Sequence, residues 1–173
     1  MRTSIIRYTL LATAALLLAA CASPANREAM TPTLTLATHN PYAVQVKTGG
    51  GATEGPSISD EDLKAAIEAA IVESKLFKTV VQGADGANYE LNVMITSLER
   101  PAFGLTFTVE LETAWSLVKV SDRSVTMRKS IKSTGVATPG DAFVAATRIR
   151  LAVERAAQNN ISDGLKAVAE VKL

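Results

Sequence analysis

The 173-residue sequence contains one cysteine, Cys21, and one histidine, His39. That scarcity excludes several chemistries at once. A catalytic zinc site takes about three protein ligands and a structural one about four, which two such residues do not supply. An internal disulfide has no second cysteine to form with. Nucleophilic catalysis of the Cys–His or Ser–His–Asp kind needs a base beside the nucleophile. His39 stands alone in the break His39-Asn40-Pro41, where an exposed loop imidazole is expected. Neither sign of charge predominates, with 18 Lys+Arg against 17 Asp+Glu. Nucleic-acid binding needs a concentrated basic surface, so none is expected. The apolar run at 8–20 is 13 residues long, short of the ~20 a membrane-spanning helix requires. Gly49-Gly50-Gly51 and Gly55-Pro56 lack both the Lys-Ser/Thr ending of a P-loop and the G-x-G-x-x-G spacing of a dinucleotide site. They read as a loop.

What is present is concentrated at the N-terminus. Arg2 and Arg7 precede the apolar run, and small residues close it. This is the pattern of a secretory signal. Its end, Leu18-Ala19-Ala20-Cys21, resembles the lipobox of bacterial lipoproteins, whose cysteine is lipidated and becomes the first residue of the mature chain. The resemblance implies removal of residues 1–20 and a diacylglyceryl thioether on Cys21, usually with an amide-linked acyl chain. Each buried CH₂ contributes about 0.8 kcal/mol, and stable attachment takes two signals. In the resembling proteins an Asp after the cysteine favours the inner membrane. Ala22 stands there, implying an outer-membrane anchor facing the periplasm. Taking Arg2 and Arg7 from the 18 basic residues leaves 16 against 17 acidic ones, a net charge of −1. With Cys21 lipidated, stability must come from packing, and about 150 residues suffice for one domain.

Residues 21–32 read as a lipidated N-terminus and flexible tether, reaching about 20 Å, and 33–173 as a single periplasmic α+β domain. Strand-like alternation occurs weakly over 33–38 and clearly over 42–48. Ser59 caps a helix whose stripe is Leu63, Ala66, Ile67, Ala70 and Ile71. A short strand over 76–81 and three alternating strands over 89–97, 105–120 and 124–136 follow. Thr138-Pro139-Gly140-Asp141 then opens a long helix towards Val168, with Phe143 and Ile149 on its apolar side and Arg148 and Glu154 on its wet side. Asn159, Asn160 and Gly164 lower its helix propensity and suggest a bend. The expectation is an α+β two-layer sandwich, β-α-β-β-β-β-α, with two helices packed on one face of an antiparallel sheet. Keeping Trp115, Leu117 and Met127 on one face requires strand partners whose residue numbers have an even sum, most simply Leu117 with Met127 and Glu112 with Lys132. An odd-length loop at 121–123 would deliver that register.

Glu110 and Glu112 are neighbours on a wet strand face, and alternation splits Lys129 from Arg128 and Lys132. No catalytic residue, cofactor or metal ligand is therefore assigned, and an enzyme is not expected. The stretches Glu73-Ser74-Lys75-Leu76-Phe77-Lys78-Thr79-Val80 and Ala87-Asn88-Tyr89-Glu90-Leu91-Asn92-Val93 resemble a pattern in small periplasmic lipoproteins. They are similar to the auxiliary lipoproteins of lipid-trafficking ABC transport systems. More loosely they resemble the lipopolysaccharide-assembly lipoprotein and lipoprotein activators of cell-wall synthases, which share a fold like the N-terminal domain of TolB. The resemblance implies a non-catalytic accessory that docks on an envelope protein complex or a lipid. A lipid or glycolipid binder, with a groove between helices and sheet, is the alternative. An acyl- or glycan-processing enzyme is a weaker third.

Overall fold

A computed structural model describes residues 23–173. The signal segment and Cys21 lie outside the described residues. The chain forms α1 (Arg27–Met30), β1 (Asn40–Gly49), α2 (Asp60–Ser74), β2 (Phe77–Val81), β3 (Tyr89–Glu99), β4 (Phe107–Lys119), β5 (Val125–Ala137) and α3 (Ala145–Ala169). The five strands make one sheet in the order β2-β1-β3-β4-β5. Helices α2 and α3 cover one face, where Trp115, Phe107, Leu91, Leu111 and Leu117 meet Leu63, Ile67, Ile71 and Ile161 in a single core. The α+β class and two-layer arrangement agree with the sequence reading.

The sheet itself is mixed, not antiparallel. β1 runs parallel to both β2 and β3, while β3-β4-β5 form an antiparallel meander. The cause is α2: a helix after β1 carries the chain back to the end where β1 began, so β2 starts in the same direction. Beyond β2 the chain crosses β1 in a short loop, 82–88. This is possible because β2 pairs with the first half of β1 (Asn40 to Gln45) and β3 with the second (Val44 to Gly49). Asn88 holds the crossing, its N–H donating to Ala43 O and its Oδ1 accepting from Ala43 N–H, both at 2.9 Å.

The β4–β5 register is the expected one, Leu117 with Met127 and Glu112 with Lys132. Its device differs. Lys119 N–H closes on Ser124 O at 2.9 Å, and Val118 pairs with Val125, a register one residue out of step. A bulge before Met127 then restores the parity that a simple odd loop would have supplied.

Three further expectations change. The segment read as a tether is part of the body from Ala25 onward. Ala25 and Met30 are buried, Ala25 N–H donates to Ser57 O (2.9 Å), and Asn26 N–H donates to Glu154 Oε1 (2.9 Å). Residues 33–38 join no ladder; Leu34 and Leu36 lie half-buried against the core, and Thr38 Oγ1 donates to Ala169 O. Helix α3 starts at Ala145, so Phe143 lies outside it and is 98% exposed. Residues 138–141 instead form a turn, in which Asp141 Oδ2 accepts from Thr138 N–H and Oγ1 while Oδ1 meets Arg155 at 2.6 Å. Arg155 chiefly, then Thr138, hold the Asp141 carboxyl well below the usual carboxylate range.

Two residues placed on the wet side of α3 are buried. Arg148 lies with its guanidinium 5.4 Å from the Phe107 ring centroid and donates to Ala142 O and Phe143 O, closing the 138–144 loop onto the helix. Glu154, 2% exposed, binds Arg150 Nη1 at 2.6 Å and receives Asn26 N–H. Helix α3 is continuous through Asn159, Asn160 and Gly164. Asn160 is buried and polar for a reason: its Nδ2 donates to Ile131 O (3.0 Å) and Ser133 Oγ (3.2 Å), and its Oδ1 accepts from Thr113 Oγ1 (2.6 Å). Thr113 Oγ1 in turn accepts from Trp115 Nε1 (2.8 Å), and Ser133 Oγ donates to Ala156 O (2.9 Å). Gly164 makes room for the same indole: a Cβ there would lie 2.3 Å from Trp115 Cζ2.

Candidate functional site

The helices leave the other face of the five-stranded sheet uncovered. Alternation puts Gln45 and Lys47 of β1, Glu90 and Asn92 of β3, Glu110, Glu112 and Ser116 of β4, and Arg128, Ser130 and Lys132 of β5 on it. Strand pairing sets them in rows, for example Lys47 beside Asn92, Asn92 beside Ser116, and Ser116 beside Arg128.

Two clusters organise the face. Glu90, nearly buried, accepts from Lys47 Nζ and from Asn92 Nδ2 (3.0 Å), with Arg123 Nη1 3.9 Å away. The bond from Lys47 is the main reason its carboxyl lies below the ordinary value, against the opposing effect of burial. Beside it the buried Gln45 Oε1 has no hydrogen-bond partner among the described residues. Glu112 is the second centre: Ser130 Oγ donates to it at 2.7 Å and Lys132 Nζ lies at 3.3 Å, and these lower its carboxyl too. Around it a hollow of about 220 Å³ is lined by Ser97, Glu99, Glu110, Lys132 and Thr134. Both carboxylates are therefore hydrogen-bonded and favoured in the ionised form.

The remaining residues singled out in the sequence are dispersed. Cys21 falls outside the described residues. His39 is exposed, and its Nδ1 lies 2.9 Å from Lys75 O; the carbonyl only accepts, so Nδ1 carries the proton. Glu110 is exposed on the uncovered face, with Thr108 beside it two residues earlier in β4. Among the described residues no three His, Cys, Asp or Glu side chains converge at metal-binding distance. The space between helices and sheet, where the lipid-binder alternative would put a groove, is filled by buried core side chains. Sequence reading missed the Lys47–Glu90–Asn92 group. The parity of each strand was visible, but the parallel β1–β3 pairing that joins them was not.

No family model matches the sequence, and no curated protein sequence is significantly similar to it. Solved structures are. Protein XCC0632 from Xanthomonas campestris, of the DUF330 family, superposes with a TM-score of 0.64 at 12% identity, over 86% of this chain and 93% of that one. PelC from Paraburkholderia phytofirmans, solved as a dodecamer, gives 0.55 at 15% identity over 80% and 93%. Lipoprotein B from Nitrosomonas europaea gives 0.51 at 15% identity over 78% and 86%. The fold is one that bacterial lipoproteins use. At these identities the likeness extends to the architecture and not to any residue's role.

Proposed function

We propose that this chain is a membrane-anchored envelope lipoprotein, tethered through lipidated Cys21 in the outer membrane and facing the periplasm. There it acts as a non-catalytic accessory that docks on an envelope protein complex. The observation that carries the docking role is the uncovered sheet face, five strands wide and set with carboxylates that Lys47, and Ser130 with Lys132, favour in the ionised form. Such a surface recognises a complementary polar partner and offers no activated nucleophile. The lipobox-like run and the lipoprotein neighbours of the same fold support the anchor. PelC, built as a dodecamer, is an instance of this architecture used in assembly. The filled seam between helices and sheet disfavours the lipid-carrier alternative.

Two experiments test the proposal. Cys21→Ser should move the chain from the membrane fraction to the soluble periplasm, and a variant still membrane-bound would refute the anchor. In-cell photocrosslinking from Thr108 or Glu110 should capture one stoichiometric protein partner. Capture of lipid alone would replace the adaptor by a lipid binder.

A further inference from the structure

Large exposed apolar side chains are not spread evenly over this molecule. Of the eight that are exposed among the described residues, Phe103, Leu105, Val136, Phe143 and Val144 lie at one end of the sheet. Pairing of Phe107 with Ala137 sets the loops 100–106 and 138–144 side by side, where β4 begins and β5 ends. Phe143 is 98% and Phe103 88% exposed, on turns that are themselves held firmly by Arg100 Nη1 donating to Pro56 O (2.7 Å) and Arg148 Nη1 donating to Phe143 O (2.7 Å). Two phenyl rings held in water on braced loops have no role in the core.

The N-terminal chain emerges at this same end. Ala25 is bonded to Ser57, in the loop that Arg100 also grips through Pro56, and Ser23 and Pro24 lie beside Arg150 in the second turn of α3. Cys21 is four residues before Ala25. At most ~3.6 Å per residue, that span covers about 14 Å. Headgroup layers add about 5–8 Å on each side of the ~30 Å hydrocarbon core. An acyl group on Cys21 thus keeps this end of the body within about 6–9 Å of the headgroup layer even when the span is fully extended. The nearby ionisable groups are of both signs, with Glu54, Glu99 and Asp141 against Arg100, Arg148 and Arg155, so attraction to anionic lipid is not what would hold it.

From this placement we infer that the end carrying Phe103, Leu105, Phe143 and Val144 is a membrane-insertion surface, its phenyl rings seated in the bilayer interface beside the lipidated N-terminus. The inference rests on the anchored reading above and adds an orientation to it. The sheet stands upright on the membrane with β1 and β3 ending at the bilayer, and the uncovered face is turned sideways, open to a partner.

The test uses the full lipidated chain in vesicles of phosphatidylethanolamine and phosphatidylglycerol containing a nitroxide-acyl phosphatidylcholine. A cysteine-reactive fluorophore is placed by Phe103→Cys, Phe143→Cys or, at the opposite end of β5, Val125→Cys; acylated Cys21 does not react. Quenching several-fold stronger at 103 and 143 than at 125 is expected. Equal, weak quenching at all three in vesicle-bound protein overturns the insertion. So does a label at 143 shielded from water-soluble quencher in native envelopes but untouched by the lipid nitroxide, since a protein then covers the tip. If the chain proves unlipidated, the anchor reading fails separately. The soluble Cys21→Ser chain decides the insertion in that case. Adding Phe103→Ser and Phe143→Ser should lower its partition into the same vesicles at least about tenfold, equivalent to ~1.4 kcal/mol, and an unchanged partition would overturn it.

Discussion

Asn160→Leu is the substitution that most directly tests how this core is held. The leucine keeps the branched shape but removes both an acceptor and two donated hydrogen bonds from a site where Asn160, Thr113 and Trp115 are all buried. Ser133 Oγ still donates to Ala156 O, and Trp115 Nε1 still donates to Thr113 Oγ1. Two groups are stranded: the Thr113 hydroxyl hydrogen and the lone pair of Ile131 O that Asn160 served. Each buried polar group left unpaired costs about 1–3 kcal/mol, partly offset by the new apolar contact, so a loss of roughly 3 kcal/mol is expected. For a domain of this size that lowers Tm by about 6–12 °C. The assay is thermal unfolding of soluble Cys21→Ser protein followed by the emission of Trp115, the single tryptophan. Thr113→Val should cost a similar amount alone. The double variant should cost less than the two together, because donor and acceptor leave as a pair. An Asn160→Leu protein within about 0.5 kcal/mol of its parent, or strict additivity in the double variant, would refute the network as a source of stability.

Other consequences are equally specific. Gly164→Ala should lower stability by about 1–3 kcal/mol through overpacking and alter Trp115 emission, since the added methyl would lie 2.3 Å from the indole; an unchanged spectrum and Tm would contradict the packing. Glu154→Ala leaves Arg150 and the Asn26 N–H without their shared partner. Arg150 is part-exposed and can turn to water, so the main cost is the stranded Asn26 N–H, about 1–3 kcal/mol, and limited proteolysis should find residues 23–31 cut faster than in the parent. Glu90 is depressed below its ordinary value of 4.5, chiefly by Lys47. Its contribution to stability is therefore full above the unfolded-state value and is lost as the pH falls through the lower folded-state value. Lys47→Met should flatten the dependence of Tm on pH below 4.5, and a slope identical to the parent's would show that the pair is not coupled to folding.

Much of this molecule was legible locally. Alternation in 89–97 and 105–120 marked β3 and β4 and the face each buries, because side chains of a strand point in alternating directions whatever the strand pairs with. The same parity argument reached the Leu117–Met127 pairing across a turn, since any one-residue slip would expose a buried row. Ser59 as the α2 cap was equally local, its Oγ accepting from Asp62 N–H.

What the sequence by itself determined, then, is a set of amphipathic elements, their buried sides, one antiparallel register and the lipobox-like start. Tertiary structure alone decided the rest. Parallel or antiparallel pairing of β1 depends on where α2 delivers the chain, and strand alternation is the same in either case. Whether Arg148, Glu154 and Asn160 face water or core depends on partners far away in the chain: Phe107, Asn26 and Thr113. Phe143 joins the core by its composition and leaves it by its position, outside a helix that begins two residues later. Periodicity records which way a side chain points, but only the assembled fold supplies what it points at.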